Sequence, residues 1–196
     1  MIARPGFAQC YVRHPESGNC MTQDIVFAAP WGKPLRIISL ISGILLIGMS
    51  FLLFFVLNQA PDSNSVAIVA PWIPLLIEAT AAVFIVRRYQ LSGDTLIIHR
   101  LGWSNQYDLS QLVSISHDPA AVKGSIRSFG NGGLLSFSGI FWNKTLGSYR
   151  AYATDWSKAL VIKLPNRVLV ITPDNPEEFI KAVAKNRSEH RGQATM

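Results

Sequence analysis

Few residues in this chain have the chemistry and spacing that catalysis requires. The four histidines, His14, His99, His117 and His190, are isolated from one another, and no HExxH or GxSxG run occurs. An enzyme needs a convergent nucleophile, base and orienting group, or three metal ligands. Neither set is visible, so the sequence points away from an enzyme and calls for no metal and no cofactor. Cys10 and Cys20 accompany no zinc-ligand pair and read as free thiols. The chemistry that remains is that of binding. In Arg127-Ser128-Phe129-Gly130-Asn131-Gly132-Gly133, glycines expose backbone amides that suit an anion-binding nest, and Arg127 adds charge for a phosphate. No Gly-Lys-Ser/Thr ending follows, so a nucleotide P-loop is not supported. The same glycines also serve a plain turn or bulge. Glu78 is the other chemically distinctive residue. It is a carboxylate inside an apolar run, where burial in lipid is costly and marks a functional candidate; the simpler reading is a protonated group, or one bonded to a hydroxyl on a neighbouring helix.

The elements around these residues fall into two regimes. Ile37 to Leu57, IISLISGILLIGMSFLLFFVL, is 21 residues without a charge. A helix needs about 20 apolar residues to cross a bilayer core of about 30 Å. Ser39, Ser42, Gly43 and Gly48 make no strict GxxxG; they read first as ordinary small residues in a span, and alternatively as a place where another helix could come close. Val66 to Val86 has the same length and carries Pro71 and Pro74 in its first turns, where missing amide donors cost least. The two runs predict a transmembrane hairpin within residues 33–88, turned at Asn58 to Ser65. Lys33 and Arg36 before it and Arg87 and Arg88 after it place both ends in the cytoplasm by the positive-inside rule. Residues 1–32 form an N-terminal cytoplasmic segment. Residues 1–20 differ in composition from the MTQDIVFAAPWGKPL stretch that follows, which suggests translation from Met21 rather than Met1.

From Tyr89 the pattern changes to short alternating runs separated by turn residues, the signature of strands. Tyr89 to Leu91 and Thr95 to Arg100 flank Ser92-Gly93-Asp94, a tight hairpin connection. Further runs are Ser104 to Leu109, Leu112 to His117, Leu134 to Phe141, Gly147 to Ala153, Ala159 to Leu164 and Arg167 to Ile171, the last two joined at Pro165-Asn166. Asn175-Pro176-Glu177-Glu178 then starts a helix with a cap, a proline and a glutamate three residues after the cap. Its apolar face is Phe179, Ile180, Val183 and Ala184, and residues 186–196 read as a polar, disordered tail. Seven or eight strands and one amphipathic helix must bury their apolar faces together, as a small barrel or sandwich plugged by the helix.

The net charge of +6 and the pI of 9.6 raise nucleic acid as a partner. The basic residues are scattered singly, without a run or an aromatic-interleaved stripe, so nucleic acid is not expected. Charged residues are only 15 % of the chain, and residues 89–196 hold twelve Lys or Arg against eight Asp or Glu. The low total fits a protein that puts part of its surface in lipid, while the later region is charged like an ordinary domain.

The order of two hydrophobic spans, Tyr89-x-Leu91 with its hairpin, RSFGNGGLLSFSGIF, GSYRAYAT and VLVITPDNPEEFIKAV resembles a family of bacterial membrane proteins with a PH-like domain, over about residues 25–185. The resemblance implies two packed, mostly antiparallel sheets capped by a C-terminal helix over residues 89–185, in a multi-pass protein of the bacterial inner membrane. It implies a binding or assembly module rather than a reaction. The leading expectation is protein contact or homo-oligomer assembly beside the bilayer. The alternative is an anionic headgroup site using Lys123, Arg127, Lys144 and Arg150, and a third is a transport subunit using Glu78. Phe137, Ile140, Phe141 and Trp142 read either as a ridge facing the membrane or a partner, or as core.

Overall fold

The computed structural model describes residues 24–59 and 68–193. Cys10, Cys20, the choice between Met1 and Met21, and most of the link between the two apolar runs lie outside the described residues. Strand β1 (Ile25–Ala28) comes first, then helix α1 (Lys33–Asn58), helix α2 (Trp72–Val83) and nine further strands: β2 (Val86–Ser92), β3 (Thr95–Arg100), β4 (Ser104–Asp108), β5 (Ser114–His117), β6 (Ile126–Gly132), β7 (Phe137–Asn143), β8 (Gly147–Ala153), β9 (Leu160–Leu164) and β10 (Arg167–Ile171). A 3-10 turn, Trp156–Lys158, precedes β9, and helix α3 (Pro176–Gln193) closes the chain.

The strands form two sheets, one of order β1-β2-β3-β4 and one of order β5-β9-β10-β8-β7-β6. Pairing is antiparallel except between β8 and β10. The expected hairpins close at Ser92↔Thr95 and Leu164↔Arg167. Strand β1 is an addition to the sequence reading: residues that look like an approach to α1 pair with β2, Phe27 opposite Tyr89. The helices are thus inserted between two neighbouring strands of one sheet, and the globular domain draws on chain from both sides of them.

The main core lies between the sheets. Leu91, Leu96 and Ile98 meet Leu160, Ile162, Leu169 and Ile171, and Phe179 from α3 plugs the end, all fully or nearly fully buried. One hydrogen-bond network stitches the sheets together at the centre. The Tyr89 hydroxyl donates to the Tyr152 carbonyl at 2.6 Å and accepts from the Thr172 amide at 3.2 Å, while Thr172 Oγ1 accepts from the Thr154 amide at 2.9 Å. Burial pushes the Tyr89 hydroxyl pKa up to about 12, so it stays a neutral donor.

The helices differ from the expected pair of equal spans. Helix α1 is long and apolar enough to cross a membrane, and its apolar side chains face outward, Leu45 being 65 % exposed. Helix α2 has 12 residues, about 18 Å at the α-helical rise, and by itself falls short of a bilayer core. Pro71 stands at its N-cap. At the other end the Phe84 and Ile85 amides turn back to the carbonyls of Ala81 and Ala82, and Val86 is captured by β3 opposite Arg100. The apolar run therefore passes from helix to strand within its last residues.

The two helices pack antiparallel, with Ser50 Oγ on the Pro71 carbonyl and Gly43 beside Glu78. Gly48, by contrast, has nothing beside it. Helix α3 runs past the expected end at Asn186, because Asn186 Nδ2 donates to the Gly93 carbonyl at 2.9 Å and Arg187 to the Leu112 carbonyl at 3.2 Å. These bonds hold against the domain a stretch whose composition reads as tail.

Candidate functional site

Strand alternation gives the six-stranded sheet two faces with different chemistry. On its outer face Tyr149, Ala151, Val161 and Val170 form a second small core with Phe141, covered by Ala121 and Val122. The loop that covers them is well fixed. Asp118 Oδ1 accepts from the amides of Ala120 and Ala121, each at 3.0 Å. Asn143 Nδ2 donates to the Ala121 carbonyl at 2.7 Å and to Ser125 Oγ at 2.9 Å, and the Tyr149 hydroxyl donates to the same Ser125 oxygen at 2.6 Å. Asn143, Ser125 and Tyr149 are supports the sequence reading missed; their only sequence signal is the turn chemistry of Asn143-Lys144-Thr145-Leu146-Gly147.

Beside this loop opens a cleft of about 840 Å³. Its floor is aromatic: Trp156 packs against Phe137 at 5.2 Å and edge-on to Phe141 at 5.7 Å between ring centroids. Lys123, Arg127 and Gly132 stand at its lining, and among the described residues no carboxylate pairs with either cation. An adjoining cavity of about 340 Å³ shares Phe137, Trp156 and Ser157 and ends at Lys33, Pro34 and Leu35 in the first turn of α1.

The structure divides the candidate residues. Lys123, Arg127 and Gly132 share the cleft. Lys144 is exposed in the β7–β8 turn and does not line it. Arg150 alternates to the inner face, opposite Ile140. Gly130 and Gly139 face each other across β6 and β7, and a Cβ at Gly139 would fall 2.1 Å from the Phe129 carbonyl oxygen. Gly133 is buried against Phe137 and Ile38. These last glycines have a structural task whatever they bind: they allow the close approach and the positive φ that this hairpin needs.

The hairpin end also ties the domain to the helices. The Leu135 amide donates to Ser39 Oγ at 3.1 Å, and Ser136 Oγ donates to the Phe84 carbonyl at 3.0 Å. Nearby, the Arg100 guanidinium lies 4.7 Å from the Tyr152 ring, 5.3 Å from Trp103 and 5.7 Å from Phe84. Burial lowers its pKa, its Nε has no hydrogen-bond partner, and the three rings take the place of a counter-ion. The Tyr107 and Tyr152 hydroxyls bond each other beside Arg150. Burial raises the Tyr152 pKa to about 12, and the two sheets meet here through this pair of hydroxyls.

Four strands cannot cover six. Strands β6 and β7, at one edge of the six-stranded sheet, are left as an overhang whose inner faces carry Ile126 opposite Trp142 and Phe129 opposite Ile140. Phe129 is 76 % exposed, Ile126 66 % and Trp142 47 %. The expected ridge is thereby resolved by register: Phe137 and Phe141 belong to the outer face, whereas Ile140 and Trp142 form an exposed ridge with Ile126 and Phe129, which the sequence reading did not include.

Glu78 Oε2 is buried without a partner, and Oε1 of the same carboxylate is the atom that a Cβ at Gly43 would meet, at 3.9 Å. Thr80 does not bond it; its hydroxyl turns back to the Leu76 and Ile77 carbonyls. Between residues 37 and 83 Glu78 is the one ionisable side chain among the described residues. The family model for the bacterial PH domain matches residues 87–187, just over half of the chain. No curated protein matches it.

Proposed function

The chain belongs to the bacterial PH domain family, and we propose that it is a non-enzymatic contact module, held at the cytoplasmic face of a bacterial cell membrane by α1 and α2, that docks a protein partner. The observation that carries this reading is the apolar overhang of β6 and β7. Burying a side chain such as Phe129 is worth about 1.5–3 kcal/mol, and contiguous exposed apolar surface of this kind marks an interaction site. The overhang ends in an edge strand, whose open row of amides and carbonyls a protein can satisfy and a lipid tail cannot. Lys33, Arg36, Arg87 and Arg88, all exposed at the domain end of the helices, support the cytoplasmic orientation. Among the described residues no second ionisable group stands between residues 37 and 83, so Glu78 has no relay there to support transport.

A photo-crosslinking amino acid placed at Phe129 or Trp142 of the full-length protein is expected to trap a protein adduct in cells, while the same residue at Asn166, in the exposed β9–β10 turn, traps none. Lipid adducts alone at 129 and 142, or equal yields at all three positions, would sink the proposal.

A further inference from the structure

We infer that the outer cleft binds a single-chain acidic amphiphile, with its anionic head between Lys123 and Arg127 and its hydrocarbon chain on Phe141, Trp156 and Phe137. Two cations without carboxylate partners among the described residues and an aromatic floor are placed together in one cleft, and the two halves of such a molecule need those two chemistries. A bare anion would leave the floor unused, and a neutral chain would leave the cations unused.

The direction of the chain follows from the adjoining cavity. Phe137 and Trp156 continue into that cavity, where Pro34 and Leu35 offer apolar surface beside the polar Lys33, Thr154 and Asp155, so the tail of a molecule drawn from lipid would trail toward the base of α1. The cleft is also prepared for its ligand. Asp118 and Asn143 fix the loop that carries Lys123, and Arg127 lies along the backbone of Gly132, where a Cβ would come within 2.7 Å of the guanidinium. Binding then costs little ordering of the loop. The site shares no face with the β6–β7 ridge, so it stands or falls apart from the protein contact proposed above.

The probe is palmitate carrying a diazirine midway along its chain, added to the full-length protein in phosphatidylcholine nanodiscs, with adducts mapped by mass spectrometry. Labelling should concentrate on the peptides holding Phe137, Phe141 and Trp156. It should fall roughly tenfold or more in a Lys123→Ala, Arg127→Ala double variant, the factor that the loss of even one of the two charge-assisted hydrogen bonds would give. The methyl ester of the probe should lose labelling alike, and oleate should compete where inorganic phosphate does not. Both cations are exposed, so the double variant keeps its fold. Equal labelling by acid and ester, or no loss in the double variant, would overturn the anionic half of the inference; competition by phosphate as strong as by oleate would overturn the hydrocarbon half and leave a simple anion site.

Discussion

Replacing Gly139 with alanine is expected to destabilise the chain by about 3 kcal/mol or more, because backbone strain and a steric clash combine there. Gly139 has φ +154°, and an added Cβ would stand 2.1 Å from the Phe129 carbonyl oxygen and 2.8 Å from the Cα of Gly130. Those are backbone atoms, so no side chain can swing away. The strands must separate instead, and with them go Arg127 on the cleft side and Phe129 on the ridge side. Gly147→Ala is the control. Its φ is +68° with nothing within 4 Å of the new Cβ, so it meets only the left-handed penalty, on the order of 1 kcal/mol. Denaturation midpoints of the two purified variants should differ accordingly. Equal losses would show that β6 and β7 do not approach as closely as described.

The second large effect is expected at Phe179. Its side chain is fully buried and packs at 5.0 Å, ring centroid to centroid, against Phe27 of β1. Truncation to alanine removes a large apolar group from the end of the main core and should cost about 3–5 kcal/mol. The contact joins the first described strand to the last helix, so the loss should appear as joint loosening of β1 and α3. Amide exchange in Phe179→Ala should rise in both elements together. Since the two rings touch, adding Phe27→Ala should cost less than it does alone. A loss under about 1 kcal/mol, or faster exchange confined to α3, would contradict this packing.

Local chemistry made part of this architecture legible. Ser92-Gly93-Asp94 and Pro165-Asn166 mark hairpins wherever they occur between apolar runs, and Asn175 announces α3, where its Oδ1 accepts from the Glu178 amide at 3.4 Å. The parts that stayed hidden depend on partners distant in sequence. Ile25 to Ala28 is too short to declare itself, and becomes a strand because β2 lies beside it. Strand β6 is rich in glycine and poor in strand-forming residues, and reads as a loop until Gly139 is seen opposite Gly130. The end of α2 is hidden because Val83 to Val86 is apolar in either conformation, and periodicity cannot separate a helix from a buried strand over so few residues.

The candidate site was half legible for a related reason. Charge and glycine content pointed to Lys123, Arg127 and Gly132, which do meet in one cleft. The face taken by Arg150 follows only from register, which pairs it with Ile140 and turns it away from Phe141. Register also splits the aromatic run at Phe137 to Trp142 between two faces, so one sequence motif supplies both the floor of the cleft and the exposed ridge. A one-residue slip would exchange those roles.

The protein contact and the amphiphile site both need this domain beside a bilayer, and the depth of α1 tests that directly. Nitroxide labels at cysteines replacing Leu45, Leu101 and Asn166, in a chain whose Cys10 and Cys20 are serine, report their exposure to oxygen and to an aqueous nickel chelate in liposomes. With α1 across the bilayer, the label at 45 is reached by oxygen and shielded from nickel, the label at 101, in the turn that touches the end of α2, sits at headgroup depth, and the label at 166 is fully aqueous. Nickel access at position 45 equal to that at 166 would contradict the membrane anchor.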